Sequence, residues 1–293
     1  MDIELKDDGD KPCPGCAKRL PADAVLCTDC GYHLQAASKL NLQKPPDKVK
    51  DGPQIQKFTK RSWSSLGIGL VLALILSVFQ FPKFVMSYFI ILVHETGHAL
   101  ASWVFGSPAL PQFNFQYGGG ITRHLLKQEP LYYMATYIFL AWLIYLNRKN
   151  IIGLLVFIPV FIVYAIINHS GQHHLLVTFM GHGFELVIAI IFIYRAIGGT
   201  SMEYRFDQPI YAMCGFFILI YDAIFTFKLL YDPGVEHMYR NRPDGHVNDF
   251  EKLYDFFSFD TMNPILYFFF TLISLSPIIS ILAYRYKKWW FAG

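Results

Sequence analysis

His94-Glu95-Thr96-Gly97-His98 puts two imidazoles and a carboxylate within five consecutive residues. On a helix, positions i and i+4 leave from one face. His94 and His98 can therefore bind one Zn²⁺ together, and Glu95 beside them can take a proton from a water molecule that the ion activates. The setting sharpens this reading. From Phe84 to Phe105 the only acidic or basic side chains are these three, among Ile, Leu, Val, Phe and Ala. Ionisable groups at membrane depth cost several kcal/mol each and are usually functional where they occur. The plainer alternative is a polar patch through which helices hydrogen-bond to one another.

Two His leave a catalytic zinc short of a third protein ligand. In the string MGHGFELVIAI, His182 and Glu185 stand three apart on one helical face of an apolar segment, which makes Glu185 the leading choice. Asp244, in the polar loop NRPDGHVNDFEKL that also carries His246 and Asp249, is an alternative. So are Asp222, a lone carboxylate inside a later apolar segment, and His182 itself. Contact between helices through hydrogen bonds is the plainer account of the His182 and Glu185 pair and of Asp222. His169, His173 and His174 read as polar residues at the membrane interface.

Between two of the apolar segments, Phe113, Phe115 and Tyr117 alternate with polar residues, and Gly118, Gly119 and Gly120 then allow a tight bend. This predicts a strand or small hairpin, as against a short loop lying on the membrane surface. Beside a metal, such a strand could hold a peptide extended, and cleavage needs a peptide bond that is not locked in a helix.

A second ligand set stands apart from the first. Cys13, Cys16, Cys27 and Cys30 form two CxxC knuckles separated by ten residues in a polar segment, which is the spacing of a tetrahedral Cys₄ structural zinc site. Disulfides are the alternative, in an oxidising compartment. Cys214, in an apolar stretch, reads as packing.

The elements that must position these groups are apolar helices. With 54% hydrophobic and 17% aromatic residues against 16% charged, the chain is too apolar for an ordinary soluble domain. Seven apolar segments lie at about 63–82, 84–105, 131–146, 151–168, 175–194, 209–230 and 263–284. The third is short for a span of roughly 20 residues. The expectation is an all-α polytopic membrane protein of six to seven transmembrane helices with a small N-terminal zinc ribbon. Residues 1–34 are the ribbon with its acidic tail, 35–62 a flexible basic linker able to touch anionic lipid, and 63–293 the transmembrane domain. The first 60 residues are polar and the first apolar run starts at Trp63, so no cleavable signal sequence is expected. Lys57, Lys60 and Arg61 before the first apolar segment place the ribbon in the cytosol by the positive-inside rule. A net charge of +3 gives no reason to expect nucleic-acid binding.

The string CPGCAKRLPADAVLCTDCGYHL resembles the short bacterial zinc ribbons, and HETGHALASWVFG followed by GGGIT resembles the site-2 protease family of intramembrane zinc metalloproteases, in its compact bacterial branch. The second resemblance spans residues 94–122 and implies an integral protein of the bacterial inner membrane. It implies zinc on His94 and His98, Glu95 as catalytic base, and a membrane protein or peptide as substrate. In that family the third ligand is an Asp in an NPDG or LDG motif on a later helix. Here Arg242-Pro243-Asp244-Gly245 has the PDG letters but sits in a polar loop. The expected cofactors are two Zn²⁺, one catalytic and one structural, and the ribbon offers a surface for a cytosolic protein partner. Two other functions compete: a regulatory membrane protein without hydrolytic activity that recruits partners through its ribbon, and a membrane protein that handles zinc.

Overall fold

The structure is a computed structural model in which residues 11–35, 38–39, 57–114, 119–124, 128–199, 204, 206–242 and 247–287 are described. The chain forms two compact units, 1–52 and 53–293. Their boundary falls inside the segment expected to act as a linker.

In the first unit, β1 (Lys11–Pro12) pairs antiparallel with β2 (Arg19–Leu20), and β3 (Tyr32–His33) pairs with β4 (Ser38–Lys39). The knuckles fold back on their own sulfurs, as where the Gly15 amide donates to Cys13 Sγ at 3.4 Å. Cys13, Leu20 and Cys27 form the buried centre of this unit. A core so small cannot hold a chain of this length together, so the sulfur cluster must contribute.

The second unit begins with α1 (Lys60–Val78), capped by the Thr59 hydroxyl on the Ser62 amide, and α2 (Gln80–Val104). The hairpin β5 (Ala109–Phe113) and β6 (Gly120–His124) follows, then α3 (Pro130–Leu146), α4 (Ile151–Ser170), α5 (His173–Gly198) and α6 (Asp207–Tyr231). Two short helices, α7 (Pro233–Arg240) and α8 (Asp249–Phe256), precede α9 (Asn263–Arg285). Helices α1, α2, α4, α5, α6 and α9 are long and apolar enough to cross a membrane. Helix α3 has 17 residues. At about 1.5 Å per residue it rises about 25 Å, short of the roughly 30 Å hydrocarbon core. The seven apolar segments of the sequence thus become six span candidates and one shorter helix, which fits an integral membrane protein.

Helix α5 is the hub. Its buried face, with Ala189, Ile193, Ala196 and Ile197, packs with Ala212, Phe217 and Ile218 of α6 and Leu266 and Phe269 of α9. The outer faces carry exposed Val71, Leu131, Ile138, Ile158 and Ile166, a surface suited to lipid rather than water. Because α5 lies against α2, α6, α8 and α9 together, the ionisable groups of α2, α5, α6 and α8 converge at one depth.

Candidate metal centre

His94 and His98 leave α2 on the side facing α5, and the two rings lie 4.7 Å apart. Gly181 of α5 crosses directly over them. A Cβ at that position would meet Nε2 of both imidazoles, so the glycine lets α5 approach closely enough to seal the ligands from the apolar side. Each ring is oriented from behind. His98 Nδ1 lies 2.8 Å from the Val177 carbonyl, and His94 Nδ1 lies 3.2 Å from Glu185 Oε1. A carbonyl and a carboxylate only accept, so both Nδ1 atoms donate and both Nε2 lone pairs are left facing inward.

A third acceptor meets them there. Asp249 Oδ2 lies 3.0 Å from His94 Nε2 and 2.9 Å from His98 Nε2, and the two Nε2 atoms are 3.1 Å apart. Three acceptor atoms at the corners of a near-equilateral triangle could hold a metal ion between them. One proton can bridge only one edge, whereas a metal ion joins all three. The edges match, within a few tenths of an ångström, the face of a tetrahedron about 3.3 Å on edge expected for zinc–ligand distances near 2.0–2.1 Å. The donor set of two imidazoles and one carboxylate also suits zinc.

Asp249 is placed by local capping. It is the first residue of α8, following Asn248, whose side chain caps the helix while Glu251 Oε2 accepts from the Asn248 amide at 2.9 Å. The Asn248 side-chain amide also donates to the Tyr239 carbonyl, and the Phe250 amide donates to the Tyr239 hydroxyl at 3.3 Å. The start of α8 is thereby pinned to α7.

The triangle thus brings in Asp249, which is not among the third-ligand choices named from the sequence. Glu185 is buried at the same depth, but its Oε1 stands behind His94, on Nδ1, and its Oε2 accepts from His182 Nδ1 at 2.7 Å. It orients a ligand of the triangle. His182 stacks flat on Phe250, with centroids 4.5 Å apart and planes at 8°. Asp222 is buried and belongs to neither ligand group of the membrane unit. Asp244 lies outside the described residues. Asp249 did carry a sequence signal, since Asn248-Asp249-Phe250-Glu251 has the N-cap and N3 acid of a helix start. A second group, His94, His182 and Glu185, also brings ligand atoms within 4.8 Å of one another, and it shares His94 with the triangle.

Glu95 is buried on the hairpin side of α2. Its Oε2 accepts from the Thr122 hydroxyl at 2.7 Å, and the same hydroxyl lies 3.0 Å from the Glu95 carbonyl. Gly120 packs against the Glu95 carboxylate so closely that a Cβ there would overlap it. Of the three glycines expected to shape this strand, Gly120 opens β6, Gly119 has φ of +126° in the turn, and Gly118 lies outside the described residues, as do Phe115 and Tyr117.

The register fixes which edge of β6 faces outward. Phe113 pairs with Gly120 and Ala109 with His124, and the Asn114 amide donates to the Gly119 carbonyl at 3.0 Å. The hydrogen-bonded pairs are then Gln112 with Ile121 and Leu110 with Arg123. The backbone amides and carbonyls of Gly120, Thr122 and His124 point away from β5. Pro111, which has no N–H, falls opposite Thr122, where none is needed. A cavity of about 860 Å³ runs along this edge and is lined by Gly120, Thr122, Glu95, His94, His98 and Asp249.

In the first unit the four sulfurs come together as expected. Cys13 Sγ and Cys30 Sγ are 3.5 Å apart, Cys16 Sγ and Cys27 Sγ are 3.7 Å apart, and all four lie within 4.8 Å. A tetrahedral Zn–S site with 2.3 Å bonds has edges of about 3.8 Å. The cluster could hold a metal such as zinc, and no disulfide links the cysteines. Backbone amides of Cys30 and Asp29 bring the Cys27 thiol down to about 7, whereas burial pushes Cys30 up to about 12. Lys18 pairs with Asp29 beside the second knuckle. Comparison of the chain with protein-family models, curated proteins and solved structures returns no match.

Proposed function

We propose that the chain is an intramembrane zinc metallopeptidase that cleaves membrane-associated peptides held extended along β6. The observation that carries this reading is the triangle of His94 Nε2, His98 Nε2 and Asp249 Oδ2, 2.9 to 3.1 Å on a side, with Glu95 opening onto the same cavity. A zinc ion on these three atoms would supply the Lewis acidity that activates water and polarises a peptide carbonyl at neutral pH. Glu95 would take the proton of the attacking water and return it to the leaving amine. Thr122 holds one oxygen of Glu95 and leaves the other available for that exchange. The amides and carbonyls of Gly120, Thr122 and His124 that point away from β5 can pair with a substrate strand, which unwinds its helix and sets a carbonyl beside the base. In this reading the protein sits in a bacterial inner membrane, and its ribbon carries structural zinc on the cytosolic side, where it meets a protein partner.

Glu95→Gln keeps size and hydrogen bonding but removes the base. Hydrolysis of quenched-fluorescent peptides by the full chain in nanodiscs should fall by about 10²- to 10⁴-fold, with zinc content unchanged. Equal turnover by wild type and variant would defeat the peptidase reading.

A second reading, a protein that handles the metal itself, draws support from the overlap of the triangle with the His94, His182 and Glu185 group, which offers an ion two adjoining positions. It predicts rapid zinc exchange that is indifferent to Glu95→Gln. A peptidase predicts slow exchange.

A further inference from the structure

Asp249 has two carboxylate oxygens, and the triangle uses only one. Oδ2 lies 3.0 Å from His94 Nε2 and 2.9 Å from His98 Nε2, while Oδ1 accepts from Lys252 Nζ at 3.4 Å. Asp249 and Lys252 stand three apart in the first turn of α8, a spacing at which helical side chains meet. Both line the cavity that holds the triangle. The Lys252 side chain is 49% exposed and that of Asp249 11%, so a half-exposed ammonium meets a buried carboxylate. A pair so long and so open on one side contributes little to stability. Nor does its charge favour a metal, since an ammonium repels a divalent cation held nearby. What the contact can do is direct the carboxylate. Such a group gives a metal one oxygen or both, and a catalytic zinc keeps its fourth position for water. Were Asp249 to turn both oxygens to the ion, the second would compete for that position.

We propose that Lys252 is a positioning residue of the metal centre: its bond to Oδ1 holds Asp249 to coordination through Oδ2 alone and so keeps the fourth position of the ion open. One turn of α8 then does three things. Asn248 caps it, Asp249 supplies the ligand, and Lys252 selects the oxygen. Partners behind a ligand typically contribute about 10- to 100-fold in metal affinity or activity. Lys252 repels the ion while orienting its ligand, so its loss should appear in the open position more than in affinity. The inference rests on the triangle as the metal site.

Cobalt(II) in place of zinc, in the full chain in nanodiscs, tests this without peptide turnover. Its visible bands change when a small ligand enters an open position, and imidazole is a probe whose neutrality makes it insensitive to the loss of a nearby charge. A closed Cys₄ site offers no such position, so the difference spectrum on adding imidazole reports the membrane unit. Lys252→Met keeps the length of the side chain and loses the donor. It should bind imidazole about tenfold more weakly than the wild type, or weaker still, and Lys252→Arg, which keeps a donor, should restore most of the affinity. Equal imidazole binding in the wild type and Lys252→Met would overturn the proposal. So would a wild type that takes no imidazole, or an Arg variant that behaves like the Met variant. If Asp249→Asn leaves cobalt affinity untouched, the triangle is wrong; if Asp249→Asn weakens it and Lys252→Met still takes imidazole like the wild type, only the positioning role fails.

Discussion

At the scale of single residues, the site divides carboxylates by which nitrogen of His94 they face. Asp249 stands on Nε2 and Glu185 on Nδ1, so the two should fail differently when neutralised. Asp249→Asn removes a charged ligand and should weaken zinc binding by more than about 100-fold, whereas Glu185→Gln, which only loosens an imidazole, should cost about 10- to 100-fold. Chelator titration of the two variants decides it. The reverse order would shift the ion to the His94, His182 and Glu185 group. The HETGH helix was legible in the sequence because its chemistry is local: i and i+4 share a face whatever the tertiary fold. Asp249 was not, because it meets His94 across 155 positions of chain. Glu185 was attractive for a sound reason, its depth and burial, but depth does not say which side of an imidazole a carboxylate will occupy.

At the scale of elements, the hairpin was legible as a strand-forming stretch, although its contact with the base was not. A two-stranded hairpin is marginal by itself. Here it leans on α2, where Trp103 Nε1 donates to the Ala109 carbonyl at 2.8 Å and Thr122 donates to Glu95. The strand that would hold a substrate is thus bonded to the group that would cleave it. Thr122→Val keeps the β-branched shape and loses the hydroxyl. A hydrogen bond to a charged group contributes about 1.5–3 kcal/mol, so peptide hydrolysis should fall by about 10- to 100-fold while zinc content holds. Thr122→Ser should restore most of it. An unchanged rate in Thr122→Val would show that the hydroxyl is incidental to the base. Helix α8 carries the complementary lesson: its Asn-Asp-Phe-Glu start was readable as a cap, yet no local pattern says that the capped helix will be pinned to Tyr239 and deliver its first residue to α2.

At the scale of the whole molecule, two ligand sets sit in two separately compact units, and the four Cys of one and the His pair of the other were visible as spacing in one sequence. What the spacing leaves open is whether the metals depend on one another. The ribbon has a core of Cys13, Leu20 and Cys27, small enough that an ion held by its four sulfurs would contribute to its folding. The membrane unit has its own core along α5, α6 and α9 and should keep its shape and its ion when the ribbon is lost. Cys13→Ser with Cys16→Ser should therefore remove one of two zinc equivalents per chain, melt the ribbon, and leave chelator affinity at the His94 site unchanged. Acid should act on the ribbon in the same direction, because zinc binding displaces thiol protons. As pH falls through the range of Cys27, near 7, protons compete more strongly and the thiolate-bound ion should be released. Elemental analysis per chain, for wild type and the double variant across that pH range, measures both effects. Loss of both ions from the double variant would mean that the two units depend on each other, and the ribbon would then have to be regarded as part of the membrane site rather than as a separate module carried beside it.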